Sequence, residues 1–560
     1  MEILSRYDRK RKFYRLKNGD FVNMEENGLE SLQEVRQALQ LTDKQLMQDK
    51  IEVPAYRMLY LDETLQENAM MEVIRDVSFA SRIEKLQNPD FKKNYVPDSL
   101  KGILREYQKA GAAWIGMLYS NQFGGILADD MGLGKTLQVI SFLLVEHTGC
   151  SLIVCPASLV YNWKHELERF APSLKADMVT GNVQQRKEVL DRWKEVDVLI
   201  TSYDLLRRDI TDYQELHFFC EVIDEAQYIK NHGTQAARAV KQVQTGFRLA
   251  LTGTPIENRL SELWSIFDYL MPGYLYSYQR FRTELEQPIV QHKDEDAAKR
   301  LQRLIRPFVL RRLKKEVLQD LPDKLEENLY ADMDGEQQEL YDAHVRRMKL
   351  MLEEKSDEEI RTDKIEILAE LTRLRQLCCD PALLYDNYKG GSAKTELVRG
   401  LIRNAVENGH KVLLFSQFTT MLERLYRILE EEKIASHMLT GATPKEKRIE
   451  MVESFAHDEV PVFCISLKAG GTGLNLTAAD VVIHFDPWWN SAVQNQATDR
   501  AHRIGQKNVV NVYRILAKGT IEEKIVELQE RKLQLSDRIL GGESLQAQGL
   551  TREELLELLR

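Results

Sequence analysis

Paired cysteines and long apolar runs are both missing from this sequence. Six cysteines occur among 560 residues, and no two of them have a CxxC spacing. This argues against a zinc site and a disulfide framework, and it favours a reducing interior compartment. No run of about 18 apolar residues could span a bilayer, so no membrane partner is expected. The basic cluster at residues 9–12 precedes no apolar segment, and a secretory signal is therefore not predicted.

The composition is that of an ordinary globular protein. Hydrophobic residues make up 43% of the chain and charged residues 29%. At roughly 100–200 residues per domain, the length predicts three or four folding units. The formal net charge of −10 disfavours broad, non-specific coating of nucleic acid. It leaves room for a local basic track, because phosphate binding depends on where lysine and arginine cluster.

Short apolar runs alternate with longer amphipathic stretches in two separate parts of the chain. This rhythm predicts βαβ units on parallel sheets, and hence two α/β lobes. The strand candidates are residues 125–128, 152–155, 198–200 and 221–223 in the first lobe, and 412–415, 462–465, 481–485 and 509–512 in the second. The predicted boundaries are 1–95 for an N-terminal accessory region of unknown function, 96–272 for the first lobe, 273–390 for a charged helical region, 391–520 for the second lobe and 521–560 for C-terminal helices.

A glycine-rich segment directly follows the first strand candidate and predicts a phosphate-binding loop. Its residues are Asp129, Asp130, Met131, Gly132, Leu133, Gly134, Lys135 and Thr136. Closely spaced glycines let backbone N–H groups surround phosphate oxygens. Lys135 can neutralise the β- and γ-phosphates, and Thr136 can ligate Mg²⁺. The strict P-loop pattern needs glycine where Asp129 stands, so a glycine-rich strand-to-helix turn is the alternative.

Two carboxylates end a later strand candidate of the same lobe. Asp224 and Glu225 open the sequence Asp-Glu-Ala-Gln, and an acid at the carboxyl end of a strand lies beside the P-loop in a doubly wound sheet. Asp224 can hold Mg²⁺ through water, while Glu225 can orient or deprotonate the attacking water. A solvated acidic turn is the alternative, and the preceding P-loop disfavours it.

Two further segments of the first lobe give weaker signals. Gln108 lies just upstream of the P-loop, where it could read the adenine edge or belong to a polar helix surface. Residues 251–255, Leu-Thr-Gly-Thr-Pro, carry hydroxyls that could sense a γ-phosphate or simply form a turn. The residues alone leave both alternatives open.

The second lobe carries an arginine motif and no P-loop of its own. Arg500 and Arg503 are three residues apart, which predicts one shared face of a helix. From there they can reach a phosphate bound to the other lobe as arginine fingers, worth about 10³–10⁵ in rate. A surface helix in which Asp499 pairs with a neighbouring arginine is the alternative. The glycine-rich turn 466–476 supplies Lys468 as a candidate ligand of DNA phosphate.

In this order along the chain, the motifs resemble those of the superfamily-two helicase-like ATPases, and within them the Swi/Snf family of DNA-translocating remodellers. The resemblance covers roughly residues 100–530 and rests on segments 129–136, 224–231, 251–255, 306–312, 321–324, 411–418, 466–476 and 486–506. Asp130, Gln227 and Ser491 stand where glutamate, histidine and proline are usual, which bears on the subfamily and not on the ATPase chemistry. The short helical region between the lobes resembles a bacterial or archaeal member.

The resemblance implies an α/β fold of two tandem RecA-like P-loop NTPase lobes, with helical protrusions and a linker at 273–390. ATP and Mg²⁺ are the implied cofactors, held between the lobes by Gln108, residues 129–136, Asp224, Glu225, Arg500 and Arg503. The implied DNA contacts are Ser202, Ser416, Gln417 and Lys468.

The implied activity is ATP hydrolysis stimulated by double-stranded DNA. A monomeric motor would move along the duplex and displace bound proteins without obligatory strand separation, in the nucleoid-containing cytoplasm of a prokaryote or the nucleus of a eukaryote. A strand-separating DNA or RNA helicase and an ATPase that docks on RNA polymerase are the alternatives. Residues 488–490 and 504–506 favour the Swi/Snf assignment over an ordinary helicase.

Overall fold

The structure is a computed structural model that describes residues 95–253, 260–318, 322–355, 363–467, 474–488 and 491–527, with shorter segments between residues 13 and 87 and residues 556 and 559. Within these residues, no helix is long and apolar enough to cross a membrane. Near the N-terminus, strands β1 (Phe13–Arg15) and β2 (Phe21–Asn23) form an antiparallel hairpin. The helices Met58–Glu67 and Val77–Gln87 follow.

The first lobe is built on a parallel sheet of seven strands. Its strands, together with a separate two-stranded pair, are β3 (Gly125–Leu127), β4 (Ser151–Cys155), β5 (Ala176–Met178), β6 (Val198–Ser202), β7 (His217–Phe218), β8 (Glu221–Asp224), β9 (Gln244–Thr245), β10 (Arg248–Leu251) and β11 (Val309–Leu310). The order across the sheet is β11-β3-β10-β8-β4-β6-β5, and β7 pairs with β9. Strands β4 and β6 are buried along their whole length, as expected for a parallel sheet that is covered on both faces.

Helices connect these parallel strands, because a parallel pair needs a crossover connection. They are Glu106–Ser120, Lys135–Val145, Val160–Phe170, Val183–Asp191, Tyr203–Arg208, Ile210–Tyr213, Gln235–Gln242 and Leu260–Leu270. Large side chains such as Phe142, Trp163 and Phe267 are fully buried against the sheet and form one continuous core.

The second lobe has a parallel sheet of six strands. The strands are β12 (Lys324–Ala331), β13 (Val412–Ser416), β14 (Ser436–Leu439), β15 (Val462–Ser466), β16 (Val481–His484) and β17 (Val510–Ala517), in the order β12-β17-β16-β13-β15-β14. Its helices are Ala393–Glu407, Thr419–Glu431, Lys445–His457 and Ser491–Thr498, and residues 521–527 are also helical. Along β13, Val412 and Leu414 join one apolar cluster while Leu413 and Phe415 join another. Successive side chains of a strand point to opposite faces, so both faces of the sheet are packed, and the predicted pair of α/β lobes is confirmed.

The interval between the lobes is largely helical, as predicted. Its helices are Tyr278–Phe281, Gln287–His292, Glu295–Ile305, Lys314–Val317, Gly335–Glu354 and Lys364–Cys379, with a π-helical turn at Arg282–Glu286. The interval also supplies an edge strand to each sheet, β11 to the first and β12 to the second. The sequence analysis did not predict these two strands, because β11 has two residues and only one of the eight residues of β12 is buried.

A buried ion pair ties the C-terminal end of the second lobe to its first helix. The ammonium of Lys394 donates to both carboxylate oxygens of Glu522, at 2.9 and 2.8 Å, and both side chains are fully buried. The backbone N–H of Ala517 also donates to Glu522, at 2.8 Å. Burial opposes the charge, yet the Glu522 carboxylate holds the pKa of Lys394 above its ordinary value. Burial also raises the pKa of Glu522, and the charge of Lys394 opposes that rise.

We expect Lys394→Met to destabilise the second lobe by about 3–5 kcal/mol, because the Glu522 carboxylate would stay buried without its counter-charge. Urea unfolding gives the change in free energy. The control is Lys524→Met, which removes an exposed ion pair with Glu527 at 3.4 Å and should cost less than about 1 kcal/mol. Equal unfolding midpoints for the two variants would contradict this account of the buried pair.

Candidate active site

The predicted phosphate loop forms the turn between β3 and the helix Lys135–Val145. Gly132 and Gly134 have left-handed backbones, with φ of +83° and +75°, which glycine adopts without the steric cost of a Cβ. A Cβ at Gly134 would lie 2.4 Å from Nε2 of Gln108, and one at Gly132 would lie 2.9 Å from Cβ of Arg503. Two distant parts of the chain therefore approach the loop where it carries no side chain.

Lys135 and Gln108 both hydrogen-bond to the backbone of this loop. The ammonium of Lys135 donates to the Asp129 carbonyl at 2.6 Å. Nε2 of Gln108 donates to the Leu133 carbonyl at 3.0 Å, and its Oε1 accepts from the N–H of Arg105 at 2.9 Å. Gln108 is buried, and its side chain holds the loop through the Leu133 carbonyl. Its contact with adenine stays a prediction.

Asp129, which departs from the strict P-loop pattern, forms a buried ion pair with Arg312. Its carboxylate accepts from Nε of Arg312 at 2.9 Å and from Nε2 of Gln138 at 3.1 Å. Arg312 also donates to Oε1 of Gln138 at 2.7 Å and to the carbonyl of Tyr107. Arg312 lies 183 residues further along the chain. The aspartate therefore anchors the loop to a distant segment.

Asp224 ends β8 beside the loop. Its Oδ2 accepts from Nε1 of Trp163 and its Oδ1 from the N–H of Glu225, both at 2.9 Å. Burial and then the charge of Glu225 raise the pKa of Asp224 to about 6, while the charge of Lys135 opposes this rise. The structure thus brings the strand-end acid and the P-loop lysine together.

Glu225 has a left-handed backbone, with φ of +53°. This conformation is unusual for a residue with a side chain, and residues that adopt it tend to occur at functional sites. Its Oε2 accepts from Nε2 of Gln227 at 2.8 Å, and its Oε1 accepts from Nε2 of Gln496 at 3.0 Å. The hydroxyl of Thr252 donates to Oε1 of Gln227 at 3.1 Å. Gln496 belongs to the second lobe, so the carboxylate is held from both lobes.

The two arginines of the second lobe do not share a helical face, and that prediction is wrong. The helix Ser491–Thr498 ends before them, and residues 499–505 form turns and bends. The carbonyl of Arg500 accepts from the N–H of Leu476 at 3.1 Å, a bond outside any helix. Gly505, with φ of +106°, follows in a conformation that does not continue one.

Both arginines nevertheless reach the first lobe. Burial and the charge of Arg503 lower the pKa of Arg500 to about 10, and the charges of Glu225 and Asp224 oppose this. Burial likewise lowers the pKa of Arg503, and Glu166 of the first lobe is its foremost opposing charge. Arg500 and Arg503 therefore bring two positive charges to the P-loop and the strand-end acids.

The predicted DNA contacts lie at strand ends and hydrogen-bond within the protein. The hydroxyl of Ser202 accepts from the N–H of Leu205 at 3.3 Å and caps a helix. The hydroxyl of Ser416 donates to Asp486 at 2.6 Å, and the backbone N–H of Gln417 donates to the same carboxylate at 3.2 Å. The sequence-predicted positions outside the described residues are Lys468, Gly470, Gly471, Gly473, Thr254, Pro255, Trp489 and Asn490.

Several side chains of the site carried no predicted role, among them Arg312, Gln496 and Trp163. Arg312 and Gln496 lie in segments 306–312 and 486–506, so the resemblance signalled their segments and not the residues themselves. Trp163, which donates to Asp224, belongs to no motif that we identified.

Known proteins similar to the chain include an uncharacterised ATP-dependent helicase of Mycoplasma genitalium, 42% identical over 81% of this chain and 44% of that protein. A candidate ATP-dependent helicase/translocase of Bacillus subtilis is 39% identical over 91% of this chain and 55% of its own length. The chain thus spans about half the length of these relatives. The solved SWI2/SNF2 ATPase core of Sulfolobus solfataricus in complex with double-stranded DNA is 37% identical over 78% of this chain and 93% of that one, with a TM-score of 0.40.

Three family models match along the sequence. Residues 107–383 match the SNF2-related domain, and residues 393–505 match the helicase conserved C-terminal domain. The chain belongs to the Swi/Snf family. Residues 1–97 match the bacterial SNF2 helicase associated domain, which agrees with the expected bacterial kind of member and gives the N-terminal region a family of its own. The SNF2-related and helicase C-terminal domains together indicate an ATPase of the helicase type.

We expect Glu225→Gln to retain ATP binding and to lose most turnover, because the amide keeps a hydrogen-bonding side chain but cannot accept a proton. Nucleotide affinity and steady-state hydrolysis should be measured on the same preparation. Glu221→Gln is the matched control at the other end of β8. Burial raises the pKa of Glu221 to about 8, and the charge of Arg248 opposes this rise. Near-normal hydrolysis by Glu225→Gln would contradict the assignment of Glu225 as the residue that accepts the proton.

Proposed function

We propose that this Swi/Snf chain is an ATP-driven motor that moves along double-stranded DNA without obligatory strand separation and displaces proteins bound to it. The observation that carries the proposal is the hydrogen bond of 3.0 Å between Gln496 of the second lobe and Glu225 of the first. The acid that would act on water is held from both lobes, by Gln227 of the first and by Gln496 of the second. Closure of the cleft therefore completes the positioning of the carboxylate that hydrolysis requires.

The residues at the carboxyl end of the first sheet fit a nucleotide with its metal ion. The left-handed glycines expose N–H groups at the start of the helix Lys135–Val145, where an anion is favoured. The Lys135 ammonium neutralises the β- and γ-phosphates, while the Thr136 hydroxyl and the Asp224 carboxylate are oxygen ligands of the kind that Mg²⁺ takes. Bound Mg²⁺ supplies neutralisation of the phosphate charge.

Glu225 orients the attacking water and accepts its proton in this proposal. Gln227 and Gln496 hold one carboxylate oxygen each, so the group is positioned before the reaction and needs little reorganisation. Arg500 and Arg503 stabilise the negative charge that develops on the γ-phosphoryl oxygens. The first lobe thus supplies the carboxylate that acts on water, and the second lobe supplies the two arginines.

Alternation of the cleft converts hydrolysis into movement. Switching the cleft almost completely from its open to its closed state requires a difference of about 5.5 kcal/mol between the ligand's binding free energies for the two states. Contacts to Lys135 on one lobe and to Arg500 and Arg503 on the other supply it when both lobes hold the same phosphates. The two lobes then alternately bind and release the phosphates of the DNA backbone.

Duplex DNA is the proposed track for three reasons. Members of the Swi/Snf family are similar to this chain across both lobes, and the relative from Bacillus subtilis is described as a helicase/translocase. Ser202 and Ser416 each end a strand, at the carboxyl ends of β6 and β13. The protein would act in the compartment that holds the chromosome, as a single motor.

Replacing either arginine should slow hydrolysis far more than it weakens nucleotide binding. Contacts made mainly in the transition state lower kcat without a matching loss of ground-state affinity. We therefore expect Arg500→Ala and Arg503→Ala to lose about 10³-fold or more in DNA-stimulated kcat. The control is Arg403→Ala, which removes an exposed pair with Glu432 at 3.3 Å in the same lobe. Parental rates for both arginine variants would show that the two-lobed site is wrong.

Duplex DNA should stimulate hydrolysis, and the protein should displace a triplex-forming third strand without unwinding a forked duplex. The assay is a labelled third strand on duplex DNA beside a labelled fork, with Lys135→Ala as the control that cannot use ATP. DNA affinity should fall with salt by about 0.9 log units per phosphate contact per log unit of salt. Fork unwinding without third-strand displacement would favour the strand-separating helicase instead. Docking on RNA polymerase stays a prediction that a pull-down addresses.

A further inference from the structure

Residues 310–314, here called the coupling segment, run beside the phosphate loop. The carbonyl of Leu310 accepts from the N–H of Ala128 at 2.7 Å, and the carbonyl of Arg312 accepts from the N–H of Asp130 at 3.0 Å. The N–H of Lys314 then donates to Oδ2 of Asp130 at 2.9 Å. The segment therefore extends the pairing of β11 with β3 up to the start of the loop.

The side chain of Lys314 leaves this segment and crosses to the second lobe. Its ammonium donates to Oδ1 of Asp499 and to the carbonyl of His502, each at 2.6 Å. The Lys314 side chain is 10% exposed and that of Asp499 is 19% exposed, so water screens the contact little. One residue thus bonds to the phosphate loop through its backbone and to the arginine-bearing turn through its side chain.

Each of the two acceptors of Lys314 belongs to the residue directly before one of the arginines. Asp499 directly precedes Arg500, and His502 directly precedes Arg503. The N–H groups of residues 499–502 still donate to carbonyls three or four residues earlier, but that of Arg503 donates to Ala501 at 3.2 Å. The helical pattern has therefore ended by the second arginine, and side-chain contacts help to hold the turn in one geometry. The ammonium supplies two such contacts at the two positions from which the guanidinium groups depart.

We infer that Lys314 is a positioning residue for hydrolysis, which holds the turn 499–503 against the phosphate loop so that Arg500 and Arg503 reach the transferred phosphoryl group. The inference rests on the proposed function, because it assigns Lys314 no chemistry of its own. A misplacement of about 1 Å can cost about 10²-fold in rate. Loss of the ammonium should therefore lower kcat by about 10- to 100-fold.

The test compares Lys314→Met, Asp499→Asn and the control Lys241→Met in the full chain, with duplex DNA present. Lys241 pairs with Asp268 at 2.6 Å within the first lobe, so its replacement removes an equally short ion pair that joins no lobes. We expect Lys314→Met and Asp499→Asn to lose 10- to 100-fold in kcat while ATP affinity changes by less than about threefold. The control should keep the parental kcat.

Epistasis separates positioning from a general loss of structure. Lys314→Met is combined with whichever of Arg500→Ala and Arg503→Ala retains the higher measurable rate. Positioning through the arginines predicts that the double variant loses less than the product of the two single losses, since the same contact is removed twice. Asp499→Asn, which conserves shape, repeats the measurement from the other side of the contact if Lys314→Met does not fold.

Three outcomes would overturn the inference: a parental kcat for Lys314→Met and Asp499→Asn, a loss of ATP affinity as large as the loss of kcat, or fully multiplicative losses in the double variant. The failure of the proposed function looks different, because Arg500→Ala and Arg503→Ala would then hydrolyse ATP at the parental rate. Slow arginine variants beside a fast Lys314→Met would reject the role of Lys314 alone.

Discussion

The buried ion pair between Asp129 and Arg312 fixes the phosphate loop to the chain that leaves the helical region. Asp129 is fully buried, and removal of one member of such a pair typically costs about 3–5 kcal/mol because the other charge is stranded. The coupling segment runs along the loop from this pair, and Lys314 continues it to the second lobe. The Asp129–Arg312 pair and the contacts of Lys314 together place the loop, the linker and the arginine-bearing turn relative to one another.

The fold followed from the sequence where one local pattern sufficed. Runs such as 152–155 and 412–415 are fully buried strands of parallel sheets, and such strands are apolar on both faces. Strands β11 and β12 were missed because they have edge positions in their sheets. An edge strand can be short or polar, and its pairing is set by tertiary contacts that no local window contains.

The candidate site divides in the same way. The phosphate loop, Asp224 and Glu225 could be proposed from the sequence because each needs a fixed residue type at a fixed place in a strand–loop–helix unit. The Asp129 departure could not be explained from the sequence, since its partner is 183 residues away. The arginines were predicted on the wrong element, because a spacing of three residues means a shared face only if a helix continues. The bonds of Arg500 and the φ of Gly505 show that it does not.

The short connection between the sheets limits how far the lobes can part. Lys314 is bonded to the first lobe through its backbone, and β12 of the second begins at Lys324. The ten residue-to-residue steps between them span at most roughly 35 Å when fully extended. A tether of this length keeps the separated halves at an effective concentration of the order of millimolar. Reassembly of the cleft is thus an intramolecular recapture without a diffusional search, and its rate is set by the tether instead of by protein concentration.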